Sequence, residues 1–228
     1  MYGWILGGLS RQGNANSNTV NISGGTIKRE VYGGYSDLGS ANGNTINISG
    51  GTIEGNVFGG YSTSGSANSN TINISGNPTL TYTALYGGSS KVDNFTGNTL
   101  NIRTKNIAVR YIGNFEFINF YLPNDIKAND TLLNLSAGNI DLSRSKIGVG
   151  VMDGDSPALK VGDKIILIDE PNGTITPPTN MSNNISALQG ISNSYEFSLA
   201  AVKDDGTISD DGSGNVKQIV ATSVGKKG

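Results

Sequence analysis

The segment Asn44-Thr45-Ile46-Asn47-Ile48-Ser49-Gly50-Gly51-Thr52-Ile53 recurs along the chain, and that recurrence limits the fold more than any other feature. Its pattern begins at Asn18, 26 residues earlier, and again at Asn70, 26 residues later. A shortened copy, Asn98-Thr99-Leu100-Asn101-Ile102, follows after a further 28 residues. The copies lead into an aliphatic residue, an aromatic residue and a Gly-Gly pair, as in Val31-Tyr32-Gly33-Gly34, Val57-Phe58-Gly59-Gly60 and Leu85-Tyr86-Gly87-Gly88. Ile5-Leu6-Gly7-Gly8 stands in the same phase near the start. A fixed period of a few tens of residues marks a stacked array whose units bury their apolar faces only against one another.

Within each unit apolar and polar residues alternate, Val20 and Ile22 against Thr19 and Asn21, for example, which is the period of a strand with one buried face. Ser-Gly-Gly then turns the chain, a second short strand carries Ile27, Ile53 or Leu80, and a third carries Val31, Val57 or Leu85. Three short strands in ~26 residues cannot pair into a useful core by themselves. Wound as one coil, they stack on the next coil as parallel ladders about 4.8 Å apart. The expected fold is therefore all-β, a right-handed parallel β-helix, the hand favoured by parallel crossovers, with a C-terminal β-rich cap. The two extra residues before the fourth unit are expected near Pro78 and Tyr82, at a bend. Propeller blades need ~40 residues and four strands, and the Asp of a calcium-binding β-roll is missing after each Gly-Gly.

Composition agrees. The chain holds 33 glycines and many Asn, Ser, Thr, Ile and Val residues, which suit strands and turns. It contains no cysteine and no histidine, which removes disulfides, thiolate chemistry and the commonest general base and metal ligand. Residues 1–110 carry seven Lys/Arg against four Asp/Glu and residues 111–228 carry nine against fourteen, so neither half is a basic nucleic-acid patch. No run approaches the ~18 apolar residues of a membrane span, and the first residues do not read as a signal peptide. The chain begins inside a repeat and reads as an excised fragment whose Met1 is not its own.

Two regions are expected: β-helix coils over 1–112 and irregular final coils with a cap over 113–228. In the second, Phe115, Phe117, Phe120 and Tyr121 cluster before Pro123, and strand-like segments lie at 131–135, 140–142, 146–151, 164–169, 195–202 and 216–222. Residues 180–193 read as a loop or short helix. An open solenoid end exposes a sheet edge and an unfinished core, so a cap is needed there. The phenylalanine cluster reads as packing that widens the core toward it.

The coils, together with Leu159-Lys160-Val161-Gly162-Asp163-Lys164-Ile165-Ile166-Leu167-Ile168 and Gln218-Ile219-Val220-Ala221-Thr222, resemble the end of the passenger domain of a Gram-negative type V autotransporter. The resemblance implies a β-helical passenger whose last coils and cap form an autochaperone region that folds first. It implies a secreted or cell-surface location, attached to the outer membrane only through a C-terminal barrel that lies outside this sequence. It also implies a non-enzymatic stalk and folding cap of an adhesin-like virulence protein. A host-surface protein or glycan is the expected partner, with no cofactor, no metal and no nucleic acid.

The alternatives are a β-helix polysaccharide lyase or hydrolase, and a glycan- or receptor-binding module. For the latter the candidate ligand-binding residues are Tyr32, Tyr35, Phe58, Tyr61 and Tyr86, which form an aromatic strip if they point outward and a packed corner if they point inward. Packing is the favoured reading. The Thr19, Thr45, Thr71, Thr99 and Asn21, Asn47, Asn73, Asn101 columns are expected to satisfy one another and water. Paired carboxylates serve glycoside chemistry, yet Asp153/Asp155, Asp169/Glu170, Asp204/Asp205 and Asp210/Asp211 all sit in turn-like sequence. Neither Asp-Asp-Gly has the spacing of an EF-hand loop, so no catalytic residue is assigned and these acids read as turn formers.

Overall fold

The computed structural model describes residues 3–152, 157–179, 181, 185–186 and 195–225. It is a parallel stacked β-solenoid of about 6 turns, and it divides into two compact units, Met1–Asn101 with Val109–Ile118, and Ile102–Ala108 with Asn119–Gly228.

The first unit is built from β1 (Ile5–Leu6), β2 (Leu9–Ser10), β3 (Thr19–Ile22), β4 (Thr26–Ile27), β5 (Val31–Ser36), β6 (Thr45–Ile48), β7 (Thr52–Ile53), β8 (Val57–Ser62), β9 (Thr71–Ile74) and β10 (Leu80–Ser89). It also holds most of β11 (Thr99–Ile102) and β12 (Ile107–Gly113). One sheet runs in the order β1, β5, β8, β10, β12, a second in the order β3, β6, β9, and β4 pairs with β7. Every pair is parallel, and equivalent repeat positions meet: Val20 opposite Ile46 and Ile46 opposite Ile72, Val31 opposite Val57 and Val57 opposite Leu85. The alternation seen in the sequence supplies the reason. Ile46, Ile72, Val57 and Leu85 are fully buried in continuous columns, each such side chain contributing about 1.5–3 kcal/mol of transfer free energy.

The two extra residues are absorbed one at a time. Ile48 pairs with Ile74 at a spacing of 26, Thr52 bridges Thr79 at 27, and Val57 pairs with Leu85 at 28. Pro78 lies in the first step and Tyr82 in the second. The second step falls inside the long strand β10 and not at a bend, and between Leu80 and Ala84 the same strand also shifts register against β12. A bulge takes up an unpaired residue without breaking the ladder on either side.

The second unit contains β13 (Phe117–Leu122) in greater part, β14 (Thr131–Leu135), β15 (Ile140–Asp141), β16 (Lys146–Val151), β17 (Lys164–Asp169), β18 (Ile175–Thr176), β19 (Ile185–Ser186), β20 (Glu196–Lys203) and β21 (Val216–Gly225). Strand β14 pairs with β17 and β15 with β18, both parallel. Then the rule changes: β21 lies antiparallel on β17, β20 antiparallel on β21, and β19 antiparallel on β20. Phe120, Leu133, Leu167, Phe197 and Ile219 are fully buried in this unit, and Phe115 is buried in the first, so the phenylalanines contribute packing. Of the 180–193 segment, only Met181 and the short strand β19 lie among the described residues.

Candidate functional site

The aromatic residues singled out in the sequence stand on β5, β8 and β10. Val31, Val57 and Leu85 turn into the core, so the next residue, Tyr32, Phe58 or Tyr86, stands on the opposite, outer face. Five rings are brought together in two columns. Tyr32 stacks on Phe58 at 5.2 Å between centroids and 10° between planes, and Phe58 on Tyr86 at 5.1 Å and 12°. Tyr35 stacks on Tyr61 at 4.9 Å and 10°. The columns meet edge to face, Tyr32 with Tyr35 at 5.3 Å and Phe58 with Tyr61 at 6.0 Å. The rings are outside the core and nevertheless packed, because their partners are one another. Such pairs are worth about 0.5–1.5 kcal/mol each beyond area burial.

This arrangement decides what the strip can present. A sugar stacks on a free aromatic face, whereas here the Tyr32, Phe58 and Tyr86 rings turn faces to each other, and Tyr32 also packs edge to face with Tyr35 and Tyr61. Tyr32 is only 8% exposed. Burial, with Glu30 and the neighbouring tyrosines adding to it, pushes its hydroxyl up to about 12. Burial likewise raises Tyr35, followed by Tyr61 and Asp37. The phenols therefore stay neutral at ordinary pH.

Two further rings extend the strip and were not legible from the repeat. Trp4, 57% exposed, meets Tyr32 edge-on at 6.2 Å. Tyr111 pairs in register with Ala84, two residues before the column position, which Gly113 occupies opposite Tyr86. Its ring nevertheless reaches Tyr86 at 5.8 Å, across Gly113, where a Cβ would come within 3.0 Å of Tyr111 and 3.3 Å of Tyr86. The glycine in the aromatic phase was the available signal.

The outer asparagines form the expected ladder. Asn47 Nδ2 donates to Asn21 Oδ1, Asn73 Nδ2 to Asn47 Oδ1 and Asn101 Nδ2 to Asn73 Oδ1, all at 2.8 Å. A second ladder, inside the coil, was missed. Asn44, Asn70 and Asn98 are fully buried. Asn44 Oδ1 accepts from both the backbone N–H and the Nδ2 of Asn18, each at 2.9 Å. Asn70 Oδ1 accepts the same two donors from Asn44, at 2.9 and 3.1 Å, and Asn98 Oδ1 accepts the Asn70 N–H at 2.9 Å. Asn70 and Asn98 also donate to the carbonyls of Ala41 and Ala67, each at 3.1 Å. The signal lay in the invariable Asn that opens each copy, ten residues after the second glycine of the pair in all four units. Burial is tolerable because the amides are hydrogen-bonded.

Asp205 and Asp211 serve turns, whereas Asp169, expected in a turn, ends strand β17 and accepts from Gln218 Nε2 at 3.0 Å. Asp205 Oδ1 accepts from the N–H and hydroxyl of Thr207, and Asp211 Oδ1 from those of Ser213, which lowers both carboxyls. Burial opposes ionisation of Asp93, but N–H groups of Thr96 and Phe95 and the Asn68 amide overcome it and hold the group at about 2. Asp153 and Asp155 lie outside the described residues. Among those described, no group of three or more His, Cys, Asp or Glu side chains gathers as metal ligands. Asp210 and Asp211 border a cleft of about 280 Å³ in the second unit with Ser143, Pro177, Met181 and Ala201. Glu170 is fully buried, with Oε1 accepting from the Asn172 N–H and Oε2 unpartnered among the described residues.

No family model, curated protein or solved structure matches the chain.

Proposed function

We propose that the chain is a non-enzymatic segment of a bacterial surface protein, serving as stalk and folding cap in an adhesin-like passenger of the autotransporter type. The observation that carries this reading is the change of strand direction in the second unit, where β21 and β20 fold back antiparallel after the parallel pairing of β14 with β17. A hairpin at the end of a parallel stack pairs the last edge locally, so it forms with a smaller loop-closure cost than a further coil. It then offers a finished edge on which coils add one after another. Outside a cell, that order of events opposes return of the chain through a membrane. The repeat region supports the stalk role, since its polar columns hydrogen-bond along the stack and its aromatic rings are packed on each other.

The test is deletion of residues 130–228. The remaining coils are expected to lose the ability to refold after dilution from urea, followed by far-ultraviolet circular dichroism. Refolding of residues 1–129 at the rate and yield of the whole chain contradicts the folding-cap role.

A further inference from the structure

The coil-to-coil interface of the first unit ends in strands β3 and β4, each last in its sheet. The edge is complementary to a specific segment. In both asparagine ladders the hydrogen bonds have a direction: the inner Asn of each coil donates to the Oδ1 of the next coil, while the outer Asn donates back to the coil before. At the end of the stack this leaves Asn18 with an Oδ1 that accepts nothing, and Asn21 with an Nδ2 that donates to nothing, among the described residues. One is an acceptor and the other a donor, and they stand three positions apart. The core columns are also less covered here: Val20, Ile22 and Ile27 retain 7%, 5% and 5% exposure, whereas Ile46, Ile48 and Ile53 in the next coil retain 0%, 1% and 1%.

We propose that this edge is a docking surface for one further coil of the same repeat, added in parallel register and carrying the pattern Asn-Thr-Ile-Asn-Ile. The inner Asn of that segment donates its N–H and Nδ2 to Asn18 Oδ1, as Asn18 does to Asn44. Its outer Asn accepts from Asn21 Nδ2, as Asn21 accepts from Asn47. The two Ile side chains continue the Val20 and Ile22 columns. Continuity with the existing coil–coil interface selects this occupant over an arbitrary strand, because an arbitrary strand fills neither amide. The inference stands on the ladders alone and does not rest on the passenger reading.

The repeat phase supplies the experiment. Gly3 is in step with Gly55, so a copy of the eleven residues Asn44–Glu54 placed directly before Gly3, in place of residues 1–2, lies over β3 and β4. A second version replaces both grafted asparagines by Ser. The first is expected to raise the thermal midpoint of the first unit by about 5 °C, since each kcal/mol is worth roughly 2–4 °C in a chain of this size. It is also expected to slow amide exchange at Thr19 and Ser23, whose counterparts Thr45 and Ser49 donate to Asn18 and Ile22. The Ser version is expected to give less than half of that shift. No change in either readout overturns the proposal, and equal gains from both grafts overturn the role of the asparagines. If the parent chain is a dimer that the graft dissociates, the edge is taken by a second copy, which also overturns it.

Discussion

A methyl group on Gly60 would sit 2.6 Å from the Asn70 amide nitrogen and 2.2 Å from the Ala41 carbonyl oxygen. The glycine and the buried asparagine thus occupy one shared space, and the same relation ties Gly34 to Asn44 and Gly88 to Asn98. The Gly-Gly pair exists to let the inner ladder pass.

Gly60→Ala is therefore expected to destabilise the first unit by about 3 kcal/mol or more, because the obstructing atoms are backbone and a packed amide. Gly24→Ala, with nothing within 4 Å of the added carbon, is the control and is expected to stay within about 0.5 kcal/mol of the parent. Urea denaturation of the two variants makes the comparison.

Asn70→Leu removes the acceptor for two Asn44 donors and leaves them buried. An expected loss of about 2–4 kcal/mol follows from one or two unsatisfied groups at roughly 1–3 kcal/mol each. Asn70→Asp keeps the shape but buries a charge, so its deficit is expected to shrink as pH falls and the carboxyl takes up a proton. A deficit for the Asp variant that does not change between neutral and acidic pH contradicts the buried position of this residue.

Burial is the largest influence on Glu170 and raises its pKa, so the folded state holds the proton more tightly than the unfolded chain. The stabilising contribution is then fully present below the unfolded value and is lost as pH rises through the folded one. Lys217 and Asp169 are the charged groups that act on it, with opposite signs. Glu170→Gln is expected to be more stable than the parent at neutral pH and to lose that advantage in acid, measured as thermal midpoints across pH 4 to 8. An advantage that persists unchanged in acid contradicts this account.

Tyr32 titrates at about 12, so the folded form resists ionisation between its ordinary value of 10.0 and that point. Stability is expected to fall across this alkaline window, and Tyr32→Phe is expected to flatten the fall while keeping the stack on Phe58. Absorbance titration of the phenolate and alkaline melts provide the check. Phe58→Ala, which breaks contacts to Tyr32, Tyr61 and Tyr86, is expected to cost about 2–4 kcal/mol.

Much of the solenoid was readable because a period of two inside a period of 26 leaves few ways to bury Ile46 and Ile72 at once. The inner asparagines were not, since Asn44 precedes the alternating stretch and its polarity carries no sign of burial; its close approach to Gly34 shows why it is inside. Tyr111 escaped for a related reason: repeat phase assigns positions, whereas a ring reaches its neighbour from two residues away. The orientation of Phe58 could not be settled by alternation alone, because outward-facing aromatics can bury themselves on each other. The antiparallel return of β21 and β20 depends on pairing between segments far from any repeat, where no phase indicates a partner.

The folding-cap role is tested most directly by pulse-labelled hydrogen exchange during refolding of the whole chain. Amides of β17, β20 and β21 are expected to gain protection before those of β5, β8 and β10. Simultaneous protection, or earlier protection of the coil strands, would contradict the account.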